Sequence, residues 1–270
     1  MPSGVLLQEL TWPEVRAAMA AGRTTAVFAC GAVEQHGPHL PTGTDDYLGT
    51  AIAERAALIA GNTLVAPTLR PGLSEHHMWF PGSFTLRPST FVALIEDYCD
   101  SLARHGFERI VLFPSHGGNT DTMRAHAPLL ARAFHDRVEI SVWLRPDLMR
   151  RSAELLVPLG VTPGQAGAHA GFTETSMMLR YRPDLVRMEH AEPGRSDEDF
   201  YRPENVARSQ MESFLYGIQT QSANGILGDP VGSTADAGED LLELSAQALA
   251  VELVGSSVAS ASNQVGATVV

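Results

Sequence analysis

The residues able to do chemistry are concentrated in one short stretch, Gly31–Asp46, which reads GAVEQHGPHLPTGTDD. Glu34, His36 and Asp45 offer two carboxylates and an imidazole, a mixed N/O donor set that suits Zn2+, Mn2+ or Fe2+. They are the first expected metal ligands. Two later loops carry the same residue types. One supplies His116, between Ser115 and the Gly117–Gly118 pair, and the other supplies His169 and Glu174. Three carboxylates with two imidazoles suffice for two divalent ions if one carboxylate bridges, and paired ions clamp a substrate oxygen. Each residue also has a plainer role. Asp45 is placed to N-cap the helix that follows. Glu174 falls in a helical pattern that would leave it on a solvated face. Gly117 and Gly118 serve either as strand-to-helix punctuation or as a close backbone approach to a ligand. His39, His105, His126, His135 and His190 are assigned no functional role. Of His76 and His77, neighbours in an extended chain, at most one would face a site.

These loops need elements to hold them. The apolar run Thr25–Cys30 (TAVFAC) predicts a buried strand. It empties into Gly31–Asp46 at its C-terminal end, where open α/β sheets place their sites. Further strands are predicted at Thr63–Ala66, Glu108–Phe113 and Val138–Leu144. Helices are predicted at Thr11–Ala21, where Thr11 and Glu14 have capping-box spacing, and at Asp46–Ala60 and Ser89–His105. Another starts near Asn119 or Thr120, and others cover Asp147–Leu156, Phe172–Tyr181 and Ala237–Val254. Strands alternating with helical stretches imply βαβ units and a mainly parallel sheet covered on both faces. Residues 1–254 are expected to form one domain, and the low-charge tail from Gly255 to be frayed or disordered. Met188–Arg208 mixes acidic and basic residues and reads as an excursion or lid.

Composition excludes several classes. In 270 residues, 31 acidic against 19 basic side chains give −12, which opposes nucleic-acid binding through phosphates. No apolar run approaches the roughly 20 residues of a membrane span. The N-terminus has no basic segment followed by an apolar one, so a cytoplasmic protein is expected. Cys30 and Cys99 sit in apolar patterns, as buried free thiols do. A phosphate cradle at SHGGN lacks an accompanying Lys or Arg, and Ser115 is not in a GxSxG context.

Five segments, in order, carry a resemblance. They are GAVEQHGPHLPTGTDDYLG, SEHHMWFPGSFTL, FPSHGGN, HAGFTETSMML with YRPDLV after it, and GILGDPVGSTADAG. Together they resemble the creatininase family of metal-dependent amidohydrolases over most of residues 25–250. The resemblance implies a three-layer α/β/α sandwich with a mainly parallel central sheet and a site for two divalent ions per subunit. It also implies hydrolysis of a C–N bond in an amide, cyclic amide or formamide, and assembly as a homohexamer. Residue by residue, it implies Glu34, His36, Asp45 and His116 as ligands, with Asp45 bridging. Glu174 would complete the site, His169 would shuttle the proton, and Ser74 and His77 would contact substrate, with Gly117 and Gly118 counted beside them. Two departures bear on the substrate. Creatininase proper has a glutamate ligand two residues after the third-loop histidine, where this chain has Gly118. It also has a tryptophan shortly before its catalytic histidine, where this chain has Gly164-Gln165-Ala166-Gly167. The expected partner is therefore a small-molecule amide other than creatinine. The HGGN form resembles branches that contain deformylases and a peptidase trimming a peptide-derived cofactor precursor. That peptidase, or a non-catalytic metal- or small-molecule-binding member, is the alternative. The expected chemistry is attack by a metal-bound hydroxide, with His169 protonating the leaving amine.

Overall fold

The computed structural model describes residues 4–144 and 147–255. Apolar strands with no polar face need cover on both sides, and the chain provides it. Among the described residues, four parallel strands, β1 (Thr25–Cys30), β2 (Thr63–Val65), β3 (Arg109–Pro114) and β4 (Glu139–Val142), form one sheet in the order β2-β1-β3-β4. Thr25 pairs with both Thr63 and Arg109, and Arg109 with Glu139.

Side-chain alternation divides the core in two. Val27, Ala29, Val111 and Phe113 enter the first half. There they meet α2 (Thr44–Ala60), α5 (Leu148–Leu156), α7 (Phe172–Tyr181) and α9 (Ala235–Val254). Ala26, Phe28, Ile110 and Leu112 enter the second half, against α1 (Trp12–Ala20), α3 (Pro88–Arg104) and α4 (Thr120–Phe134). The result is a three-layer α/β/α sandwich. Two short or peripheral helices, α6 (Pro163–Ala166) and α8 (Pro203–Tyr216), lie outside these layers.

This order creates a crevice. β1 leads into α2 on one face, whereas β3 leads into α4 on the other. The loops leaving these adjacent strands diverge at their C-terminal ends, at the topological switch point where such sheets bind ligands.

Most predicted elements appear within one or two residues of their expected ends. Glu14 Oε2 accepts from Thr11 N–H at 2.7 Å at the start of α1, as the capping-box spacing implied. Helix α8 was not anticipated; its first residues lie inside the stretch read as an irregular excursion. The reason is orientation: Met211, Phe214 and Leu215 remain exposed instead of forming a buried stripe. Helix α8 packs instead on a short 3-10 turn at Glu75–His77, with the Phe214 ring 4.5 Å from that of His76. The expected tail, residues 256–270, lies outside the described residues. No described helix is long and apolar enough to cross a membrane.

Phe28 is fully buried and packs 5.4 Å from the Tyr98 ring. Phe28→Ala should lower unfolding free energy by roughly 3–5 kcal/mol through lost transfer energy and a cavity. The exposed Leu58→Ala should change it by less than about 0.5 kcal/mol. Urea midpoints of the two variants check this.

Candidate metal centre

The crevice at the ends of β1 and β3 is where the ligand-type side chains arrive. After Cys30 the chain enters a loop held by Glu34 N–H donating to Thr42 O and Phe84 N–H donating to Val33 O. This buries Glu34 and His36 completely, at 0% exposure. Helix α2 starts two residues earlier than its apolar pattern suggested, and Gly43 holds the N-cap position. Asp45 is thus not the cap. It lies buried in the first turn, where the positive end of the helix dipole favours a carboxylate. β3 delivers His116. Glu174 sits in the first turn of α7 and accepts from Ala170 N–H at 2.6 Å.

His169 arrives by a different route. Its loop follows α6 and is tied across to the segment around Leu227, whose N–H donates to His169 O at 2.9 Å. The two backbones meet through glycines. A Cβ on Gly167 would lie 2.6 Å from Leu227 O, and one on Gly228 would lie 2.7 Å from Gly171 Cα. Ala170, next to His169, is held at φ 53°, a left-handed conformation costing on the order of 1 kcal/mol for a non-glycine residue.

Asp45 divides its two oxygens between two sets of donors. Oδ1 lies 3.5 Å from His36 Nε2, which is also 3.8 Å from Glu174 Oε2. Oδ2 lies 3.4 Å from His116 Nδ1, which is also 3.2 Å from Glu34 Oε1. The two sets, His36/Asp45/Glu174 and Glu34/Asp45/His116, each bring their donor atoms within 4.8 Å of one another. A third, Glu34/His36/His169, overlaps them.

Backbone carbonyls decide which ring nitrogens are bare. His36 Nδ1 lies 3.1 Å from Glu34 O, and His116 Nε2 lies 3.1 Å from Leu73 O. A carbonyl only accepts, so those nitrogens carry the protons. Their partners, His36 Nε2 and His116 Nδ1, are the atoms turned toward the carboxylates, where each can exchange a proton for a cation. Glu34 Oε1 and Oε2, His36 Nε2 and Asp45 Oδ2 are all buried without a hydrogen-bond partner. Buried carboxylates without partners are costly, and convergent bare N and O donors fit a divalent cation of the Zn2+, Mn2+ or Fe2+ type.

The electrostatics agree. Burial alone would push His36 down, but Asp45, then Glu174 and Glu34, lift it to about 9. Burial likewise opposes charge on His116, and Glu34 and Asp45 drive it well above the ordinary imidazole value. Burial would raise Asp45, yet His36 and His116 hold it below the usual carboxylate range. Burial raises Glu174, with His36 offsetting only part of it. His169 is kept well below the ordinary value by burial, with His36 adding to the effect. In metal-free protein, protons on His36 and His116 thus stand in for cations.

The remaining expected residues are distributed as follows. Ser74 is buried, and its Oγ has no partner. His77 is buried with Nε2 3.3 Å from Glu34 Oε1. The expectation that only one of His76 and His77 faces the site assumed an extended chain. The 3-10 turn instead brings both rings inward, His76 stacked 5.7 Å from His116 and His77 4.5 Å from His169. A Cβ on Gly117 would meet open space, whereas one on Gly118 would lie 2.5 Å from Leu73 O and collide with the His116 ring. The Leu73 carbonyl thus occupies the room a glutamate at position 118 would need. Gln165 turns back on its own helix: its Oε1 accepts from Thr162 N–H at 3.0 Å.

Gln35 received no role from the sequence, although it lies between Glu34 and His36. It is buried, with Nε2 3.0 Å from both His77 Nδ1 and Gly225 O. That position inside the motif was the only available signal. His39 is also buried, its Nε2 2.8 Å from Thr175 Oγ1, outside the three donor sets. His105, His135 and His190 are exposed, and His126 pairs with Glu96 at 3.1 Å.

Residues 8–253 match the profile of the creatininase (creatinine amidohydrolase) family. The creatinine amidohydrolase of Pseudomonas putida is 34% identical over 203 residues, covering 70% of this chain and 76% of the relative. The mycofactocin precursor peptide peptidase of Mycolicibacterium smegmatis is 33% identical over 214 residues, covering 77% and 76%. The solved structure "Creatininase Mn" superimposes with a TM-score of 0.76 at 28% identity, covering 93% of this chain and 97% of that one.

Because His36 stays charged up to about pH 9 in metal-free protein, a metal taking its Nε2 must displace a proton. Loading at pH 7 should release protons, and affinity should climb as pH rises toward that value, then level for this group. Calorimetry in buffers of different ionisation enthalpy measures this. Gly118→Ala should displace Leu73 O from His116 and weaken metal binding by about 10- to 100-fold, measurable by competition with a chelator.

Proposed function

The chain belongs to the creatininase family of metal-dependent amidohydrolases, and we propose that it hydrolyses the C–N bond of a small amide, cyclic amide or formamide other than creatinine. One observation carries this reading: Asp45 turns one oxygen to His36 and the other to His116. That division supports two divalent ions per subunit, Zn2+, Mn2+ or Fe2+, with Asp45 as the bridge. Glu34 and His116 would hold one ion, and His36 and Glu174 the other. When bound, such ions polarise an amide carbonyl and lower the pKa of water toward ~7.

The chain's own side chains supply the rest. His169 Nε2–H donates to Gln35 O at 2.7 Å, which fixes the ring and leaves Nδ1 bare, 3.7 Å from Glu34 Oε1. A neutral imidazole so placed takes a proton at Nδ1 and returns it to the departing amine. Ser74 Oγ, buried without a partner, is suited to hydrogen-bond the substrate. Gly117 leaves backbone open to it. Creatinine is disfavoured because Gln165 and its neighbours offer no aromatic cover.

A second reading, trimming of a peptide-derived precursor, is favoured by the apolar rim. Trp79, two residues beyond His77, is 73% exposed, and Phe214 covers His76. An extended substrate would find apolar surface beside the ligands. Residues 1–254 would act as one hydrolase unit, assembling as a homohexamer in the cytoplasm.

Purified protein should hold about one or two divalent ions per chain, and chelation should abolish amide hydrolysis. Asp45→Asn should lose metal and activity together. His169→Ala should retain metal and lose roughly 10²- to 10⁴-fold in turnover. Metal analysis and initial rates across amides, lactams, formamides and short peptides decide. Undiminished hydrolysis by rigorously metal-free protein would sink the reading. Metal binding with no turnover would favour the non-catalytic alternative, and metal loss in His169→Ala would make His169 a ligand.

A further inference from the structure

We propose that Gln35 is a positioning residue that fixes the tautomer of His77, so that His77 turns an N–H rather than a lone pair toward Glu34. The orientation of the Gln35 amide is set by partners with only one possible role. Oε1 accepts from Gly37 N–H at 2.9 Å, and Nε2 donates to Gly225 O at 3.0 Å. One proton on Nε2 remains, with two ring nitrogens at 3.0 Å, His77 Nδ1 and His169 Nε2. His169 Nε2 already carries a proton, which it donates to the Gln35 carbonyl at 2.7 Å. It has no lone pair to offer, so the second Gln35 proton goes to His77 Nδ1.

His77 must then carry its own proton on Nε2, the atom 3.3 Å from Glu34 Oε1. Glu34 Oε1 has no hydrogen bond of regular geometry, but His116 Nδ1 and His77 Nε2 both lie close to it. A proton on His77 Nε2 steadies the carboxylate. A lone pair there would set acceptor against acceptor and would add a metal donor beside Glu34. Gln35 therefore keeps His77 out of the ligand set. The Gln35 side chain is itself confined, because even a Cβ on Gly225 would collide with its amide.

This inference rests on Glu34 being a ligand, but its decisive measurement needs no turnover. His-selective 15N labelling of zinc-loaded protein, with His77→Ala for assignment, reads which ring nitrogen bears the proton. His77 should show Nε2–H. Gln35→Glu keeps the size but replaces the donor by an acceptor, so His77 should switch to Nδ1–H. Wherever a substrate is turned over, kcat should fall about 10- to 100-fold at unchanged zinc content. If Gln35→Glu does not fold, Gln35→Met, which can donate nothing, should give a mixture of both tautomers. Nδ1–H in the unaltered protein, or Nε2–H alone in the folded variant, would overturn the inference. So would a lowered melting temperature with ring signals unmoved, because that is what a merely structural glutamine would give. Failure to find any substrate would count against the amide reading and leave the tautomer result standing.

Discussion

Three carboxylates converge with two histidines in a crevice from which most water is excluded, and much of the surrounding structure can be understood from that constraint. Ionised groups in such a place are tolerated only beside compensating charge. Asp45 lies at the centre of the arrangement, with one oxygen toward His36 and the other toward His116. Its carboxylate remains ionised despite burial because both imidazoles stabilise the charge. The same attraction raises the histidines. The proposed divalent ions meet this demand more fully than protons do, which ties metal affinity to pH.

The scaffold contributes direction. Parallel strands β1 and β3 send their following helices to opposite faces, and the divergence opens the crevice. Two backbone carbonyls then set the histidine tautomers, Glu34 O for His36 and Leu73 O for His116. The close approach of Leu73 O depends on the missing side chain at Gly118. A second backbone approach, between the His169 loop and the segment around Leu227, depends on Gly167 and Gly228. The glycines therefore act as spaces into which neighbouring backbone fits.

The departures from creatininase proper gain a physical meaning here. Gly118 could not be exchanged for an acidic ligand without moving the loop that ends in His77. Glu174, anchored by Ala170 N–H on a different element, lies within reach of His36 instead. Gln165 engages its own helix through Thr162 and contributes no ring above the site.

Residue types and their periodicity were enough to foresee β1–β4, the helices that bury apolar stripes, and the concentration of ligand-type residues at Glu34, His36 and Asp45. Those signals are local: a strand without a polar face must be covered, and donors crowded in one loop need little tertiary information to meet. Helix α8 was not legible because Met211, Phe214 and Leu215 stay exposed and give no buried stripe. Nor was the inward turn of both His76 and His77, which follows from a 3-10 turn rather than an extended chain. The proton positions on His36 and His116 and the reach of Gln35 depend on carbonyls from Glu34, Leu73 and Gly225. Every residue carries such a carbonyl, so no residue type announces it. The sequence by itself determined which side chains are available to hold charge. Only the tertiary structure decided which nitrogen faces which oxygen, because His116 and Gln35 take their direction from backbone brought in from distant parts of the chain, Leu73 and Gly225, and even the nearby Glu34 carbonyl reaches His36 only through the fold of the loop.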